Sequence, residues 1–167
     1  MIIFDSSTLI LLAKIELLSP FLDSVGLRVA IPMEVERECC SVKKTLDALM
    51  ILKAVEESRI QVLEVKNHKI VSKLQSDFSL GAGEAEAVAL ALKEKARLLA
   101  IDDKIGINAS KLLGIPFTTA MAILVRSREK DLLNHTDAMT KLTALAGYGR
   151  YRHSIVEDAR RKLEVRK

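Results

Sequence analysis

The chain has 167 residues, 49% of them apolar and 29% charged, with a formal net charge of +4. That length and composition suit one domain with one core, expected to span residues 1–167. No apolar run approaches the roughly 20 residues that a membrane-spanning helix needs. Asp5 interrupts the first apolar stretch and no basic segment precedes it, which argues against a secretory signal. Cys39 and Cys40 are the only cysteines and are adjacent, so a reduced, cytoplasmic setting is expected. The charge is uneven: residues 126–167 carry eleven Lys/Arg against six Asp/Glu, whereas the first 125 carry fifteen against sixteen. A basic tail on a neutral body can attract a phosphate backbone, although such runs are more often solvated helix faces.

Ile2-Ile3-Phe4 reads as a short buried strand that stops at Asp5. Ser6 and Ser7 suit a helix start, and Leu9, Ile10, Leu12, Ala13 and Leu17 follow with helical spacing. Leu27 to Ile31 predicts a second strand, and Pro32 the beginning of a helix that runs through Val35 to Cys40. Thr45 to Ser58 predicts a helix, Ile60 to Val65 a strand, and Ile70 to Phe78 a weaker helix. A glycine-marked turn, Leu80-Gly81-Ala82-Gly83-Glu84, leads into the alanine-rich helix Ala85 to Ala96. Arg97 to Ile101 predicts a buried strand halted at Asp102-Asp103. A helix over Ile105 to Leu113, a strand at Pro116-Phe117 and a helix from Thr119 follow. From about Asn134 the chain reads as a basic helical segment broken at Gly147-Tyr148-Gly149. Strands alternating with helices imply an α/β fold: three layers, with a parallel sheet covered by helices on both faces.

Asp5 and Asp102 each end a strand, which in a parallel sheet places both at the carboxyl edge, where α/β proteins bind ligands. Crossover helices begin at that same edge. Glu84 opens one of them, and Glu38 lies in the second turn of another. Each acid alone has a plainer role: Asp5 or Asp102 as a helix cap, Glu84 as a partner of a helix dipole, Glu38 as surface. Together they would raise one another's pKa unless a cation relieved the repulsion. Mg²⁺ or Mn²⁺ suits such oxygen ligands, polarises a phosphoryl oxygen and acidifies a water. Glu34, Glu36 and Glu86 are expected to stay outside this group.

The segments Phe4-Asp5-Ser6-Ser7-Thr8-Leu9-Ile10, Pro32-x-x-Val35-x-x-Glu38, Gly83-Glu84-Ala85-Glu86-Ala87 and Ile101-Asp102-Asp103 resemble those of PIN domains, in order and in spacing. With the late Gly147-Tyr148-Gly149, the likeness covers essentially the whole chain and is nearest to prokaryotic nucleic-acid-binding PIN proteins related to VapC-like toxins. The resemblance implies a Rossmann-like sheet and endonucleolytic cleavage of RNA with Mg²⁺ or Mn²⁺. It assigns Asp5, Glu38, Glu84 and Asp102 as the acids of the site, with Asp5, Glu84 and Asp102 on the metal. Ser6 matches the small hydroxyl that follows the first Asp, and Asp103 or Thr118 would supply an outer contact. Where this branch often carries an Arg, the chain has Ile107, so Lys104 or Lys111 would have to grip the phosphate. Arg150 and Arg152, with Arg160, Arg161 and Lys162, are the tail's candidate RNA contacts. An antitoxin partner and a homodimer are also implied, and Leu46, Leu49, Met50 and Ile51 offer either a dimer stripe or ordinary core.

Other chemistries fit less well. A haloacid-dehalogenase-type phosphatase needs a second Asp at position 7, which is Ser7. The Gly-x-Gly-x-x-Gly of nucleotide binders is absent after the first strand. His68, His135 and His153 have no nucleophile beside them in sequence and read as exposed or capping residues. The remaining rival is a PIN-fold binding or assembly module with little or no nuclease activity.

Overall fold

The computed structural model describes residues 1–40 and 45–165. Its strands are β1 (Ile2–Phe4), β2 (Val29–Pro32), β3 (Gln61–Leu63), β4 (Leu98–Ala100) and β5 (Phe117–Thr118). They are joined by α1 (Ser6–Lys14), α2 (Leu18–Ser24), α3 (Met33–Cys40), α4 (Leu46–Glu56), α5 (His68–Phe78), α6 (Ala82–Lys93) and α7 (Lys104–Leu112). After β5 come α8 (Ala120–Glu129), α9 (His135–Tyr148) and α10 (His153–Glu164). All strand pairings are parallel and the order is β3-β2-β1-β4-β5, with Ile3 opposite Ala30 on one side and Leu99 on the other.

Alternation along the strands makes the layers. Ile2 and Phe4 of β1 face one way, with Val29 and Ile31 of β2, into a core shared with Leu9, Leu12, Ile51, Leu124, Leu142 and Leu163. Ile3, Leu99 and Ile101 face the other way, against Leu74, Val88, Leu90 and Ala109. Helices therefore cover both faces of the sheet, as the alternating pattern implies. Phe4 is fully buried and meets Phe21 edge to face, with ring centroids 5.8 Å apart.

Several boundaries differ from those read in the sequence, each for a local reason. Glu16 adopts a left-handed conformation (φ 53°), which stops α1 and starts a separate α2. Pro32 ends β2 rather than opening α3; it pairs with Leu63 of β3 but lies past the register with β1. The alanine-rich helix begins earlier, at Ala82, inside the glycine-marked turn. Gly147 lies within α9, and the break falls at Gly149.

The strand order fixes where a ligand can enter. The chain runs outward from β1 through β2 to β3, then returns to lay β4 on the opposite side of β1. The helix after β1 packs into the Phe4 core, whereas α7, after β4, packs with Ala109 into the Ile3 core. Helices leaving neighbouring strands toward opposite faces open a crevice at the carboxyl edge, the topological switch point. Asp5 is the first residue beyond β1 and Asp102 the second beyond β4, one on each lip.

Candidate active site

Asp5 has no solvent exposure, yet both its oxygens are engaged: Thr8 N–H donates to Oδ1 at 2.9 Å and the Ser7 hydroxyl to Oδ2 at 2.5 Å. It thereby caps α1. Ser7, not the expected Ser6, is the hydroxyl donor. Across the crevice, Asp102 does not cap the helix that follows it. Asp103 does that, taking the Ile105 and Gly106 amides at 2.6 and 3.0 Å. Asp102 instead accepts the Thr8 hydroxyl at 2.9 Å and the Ala120 amide at 2.7 Å on Oδ2, and the Tyr151 hydroxyl at 2.5 Å on Oδ1. Thr8 thus ties the two lips together, with its amide on one acid and its hydroxyl on the other.

The second pair of acids sits on α3 and α6. Glu38 Oε1 accepts the Gly83 amide at 3.1 Å, and Glu86 Oε2 accepts the Glu34 amide at 3.2 Å. Each helix thus offers the positive end of its dipole to a carboxylate of the other. Of Glu86 and Glu34, expected to stay outside the acid group, Glu86 gives its carboxylate to this clasp and Glu34 only its backbone amide, its carboxylate pairing with Arg37 at 2.6 Å. A Cβ on Gly83 would run into the Glu38 carboxylate, so only glycine allows the approach. Glu84 turns back to accept its own helix's Gly81 amide at 3.0 Å and lies in the field of Asp103 and Glu38.

Three of these carboxyls are displaced upward from their ordinary range. Asp5 is pushed up to about 7, first by burial and only lastly by the charge of Asp102. Burial also leads the upward shifts of Asp102 and Glu84. Repulsion among the acids is the cause that sequence reasoning puts forward; desolvation is the larger one. A prediction follows for the metal-free protein. Unfolded, Asp5 titrates near 3.9; folded, near 7. Between those values the folded state holds the extra proton, so stability declines as pH rises across that window and levels off above it. Urea midpoints measured from pH 4 to 8 should show this fall, and Asp5→Asn should make it shallower, Asp102 and Glu84 supplying the rest. An equally steep fall in the variant would assign it to other groups.

The other expected site residues are more dispersed. Thr118 lies in β5 with its carbonyl bonded to the Ile101 amide, and it lines a cavity of about 450 Å³ with Ile2, Leu98 and Arg126. From the chain that follows β5 it is the Ala120 amide, at the start of α8, that donates to Asp102. Ile107 packs against the Ile3 core, Lys104 opens α7 in solvent, and the Lys111 ammonium stands 5.8 Å from the centre of the Phe117 ring. Arg160 and Lys162 are held in ion pairs with Glu157 and Asp158. Exposed Arg150 and Arg152 flank Tyr151, so they leave the chain on either side of its contact with Asp102. His68, His135 and His153 are exposed at helix starts, as expected. Thr8 and Tyr151 were missed. Thr8 lies within the quoted Asp5 segment, but no local signal marks Tyr151.

Hard oxygen donors are the right chemistry for Mg²⁺ or Mn²⁺. Each carboxylate oxygen has two acceptor positions. Asp102 Oδ2 takes two donors and Oδ1 one, while Asp5 takes the Ser7 hydroxyl and the Thr8 amide, with the Thr8 hydroxyl also acting on it. Among the described residues no three His, Cys, Asp or Glu side chains group closely enough to hold a metal by themselves. A cation shared between one or two carboxylates, waters and a phosphate fits that arrangement.

A doubly wound parallel α/β domain with carboxylates on both lips of its switch point is one that takes its ligand at the carboxyl edge. The family model for the PIN domain, DUF3368, matches residues 1–164, and the chain belongs to that family. No curated protein and no solved structure matches it. PIN domains are typically nucleases and generally use divalent metals. Among the described residues no helix is long and apolar enough to cross a membrane.

Proposed function

We propose that this single PIN-like domain is a Mg²⁺- or Mn²⁺-dependent endoribonuclease. The observation that carries the reading is the fully buried Asp5 facing Asp102 across the switch point of a PIN fold. Asp5, Asp102 and Glu84, the last in the first turn of α6, would hold the cation, with Glu38 beside them in the second turn of α3. When bound, the cation supplies Lewis-acid polarisation of the phosphoryl oxygen and a more acidic attacking water. The protein's own part is to aim the carboxylates. Thr8, Ser7 and Ala120 direct hydrogen bonds at the charged form, which offsets some of the burial. Arg150 and Arg152, exposed on either side of Tyr151 in the chain, are candidate backbone contacts for RNA, with Lys104 and Lys111 on α7.

The same reading includes a toxin role, with an antitoxin covering the acidic edge, in the cytoplasm, where the free Cys39 and Cys40 would stay reduced. For a homodimer, Ile51 is excluded because it is core, but Leu46 and Leu49 are 68% and 54% exposed on α4 and support pairing there. The rival reading, a binding or assembly module, draws on the protein hydrogen bonds already made by all four oxygens of Asp5 and Asp102.

The test is cleavage of a generic single-stranded RNA. Chelator should stop it, and Mg²⁺ or Mn²⁺ should restore it. Cleavage that persists in excess chelator overturns the metal reading. Tight RNA binding without cleavage under any divalent ion favours the module.

A further inference from the structure

The strongest unassigned contact in the site comes from the far end of the chain. Tyr151 follows α9, and its hydroxyl donates to Asp102 Oδ1 at 2.5 Å across 49 residues of sequence. The approach is built in: Gly149 lies directly against the Tyr151 ring, and a Cβ there would collide with it. The ring also packs beside the Phe4 core, so the hydroxyl is carried by a fixed body.

Counting acceptor positions shows what the contact does. Oδ2 of Asp102 is filled by Thr8 and Ala120, so any ligand must come to Oδ1. Tyr151 holds one position there and leaves the other. We propose that Tyr151 is the positioning residue of Asp102: it selects the one Oδ1 lone pair that faces the crevice and a divalent cation. The proposal deepens the metal-site reading and rests on it for the cation. Tyr151 itself touches neither metal nor substrate; it acts through the carboxylate, as partners of metal ligands commonly do. Because Tyr151 lies between α9 and α10, the C-terminal helices thereby help to set a site made by the first and fourth strands.

The experiment uses full-length Tyr151→Phe, which keeps the ring and removes only the hydroxyl, with Gly149→Ala as a second variant that keeps the hydroxyl but displaces the ring. Mn²⁺ binding is measured by calorimetry on the protein without RNA. Both variants should raise the dissociation constant roughly 10- to 100-fold, the usual loss for a partner of a metal ligand. A second readout needs no metal. The Ala120 amide shares the Asp102 carboxylate, so its NMR resonance in the metal-free protein should move in Tyr151→Phe while resonances of β3 stay in place. Unchanged Mn²⁺ affinity, or tighter binding, overturns the proposal, as does an Ala120 amide that does not move. If the wild type bound no Mn²⁺ and the amide still moved, the metal reading would fail while the hold of Tyr151 on Asp102 stood.

Discussion

Asp5→Asn and, separately, Asp102→Asn are expected to lower Mn²⁺-dependent RNA cleavage by well over about a hundredfold. Loss of a partner beyond the ligands costs about 10- to 100-fold, and these two carboxylates are the proposed ligands themselves. The fold should survive. Asn is close to isosteric with Asp, and the Ser7 hydroxyl can rotate from donating to accepting if the new amide faces it. For Asp5 the change also removes an ionisable group from a site without solvent exposure, so above pH 7 stability should hold or rise. Initial rates at saturating Mn²⁺, read beside thermal melts, check this. A variant that keeps wild-type turnover removes its residue from the site. A variant that unfolds shows a structural part instead.

Phe4→Ala should produce the largest loss of stability of any single change considered for this chain. Phe4 is fully buried at the centre of the sheet and contacts Phe21 edge to face. Truncating such a ring costs about 3–5 kcal/mol through lost transfer energy and the cavity left behind. For a chain of this size that corresponds to a drop in Tm of roughly 6–20 °C. Phe4 also immediately precedes Asp5, so cleavage should fall more steeply with temperature than in the wild type. A shift of only one or two degrees would mean that α2 closes onto the gap.

Much of the fold was legible because its signals are short in range. Ile2 to Phe4, Leu98 to Ala100 and the alanine-rich α6 declare themselves through composition and periodicity, and the alternation of strands and helices implies the layers. The acids at the carboxyl edge followed from topology alone. What was not legible depends on who meets whom. Nothing in the spacing says that Thr8 bridges Asp5 and Asp102 or that Tyr151 reaches Asp102. Ser6 and Ser7 are interchangeable on paper, and the geometry of the capping turn chooses Ser7. Glu34 and Glu86 were set aside because helical spacing turned them from the expected centre. The clasp between α3 and α6 uses the Glu86 carboxylate, whereas the Glu34 carboxylate turns away to Arg37. Boundaries slipped where backbone conformation, not composition, decides, as at left-handed Glu16.

The closeness of Gly83 to Glu38 also bears on how this sequence can drift. With Glu38 extended onto the Gly83 amide, position 83 admits no side chain. If residue 38 were shortened or turned outward, alanine would fit and would favour the helix by up to about 1 kcal/mol. The two positions, 45 apart, are therefore coupled: a side chain at 83 requires Glu38 either to swing off the Gly83 amide or to be shortened. Glycine at 83 lets the carboxylate rest on the amide, and any larger residue there trades that hydrogen bond for helix propensity.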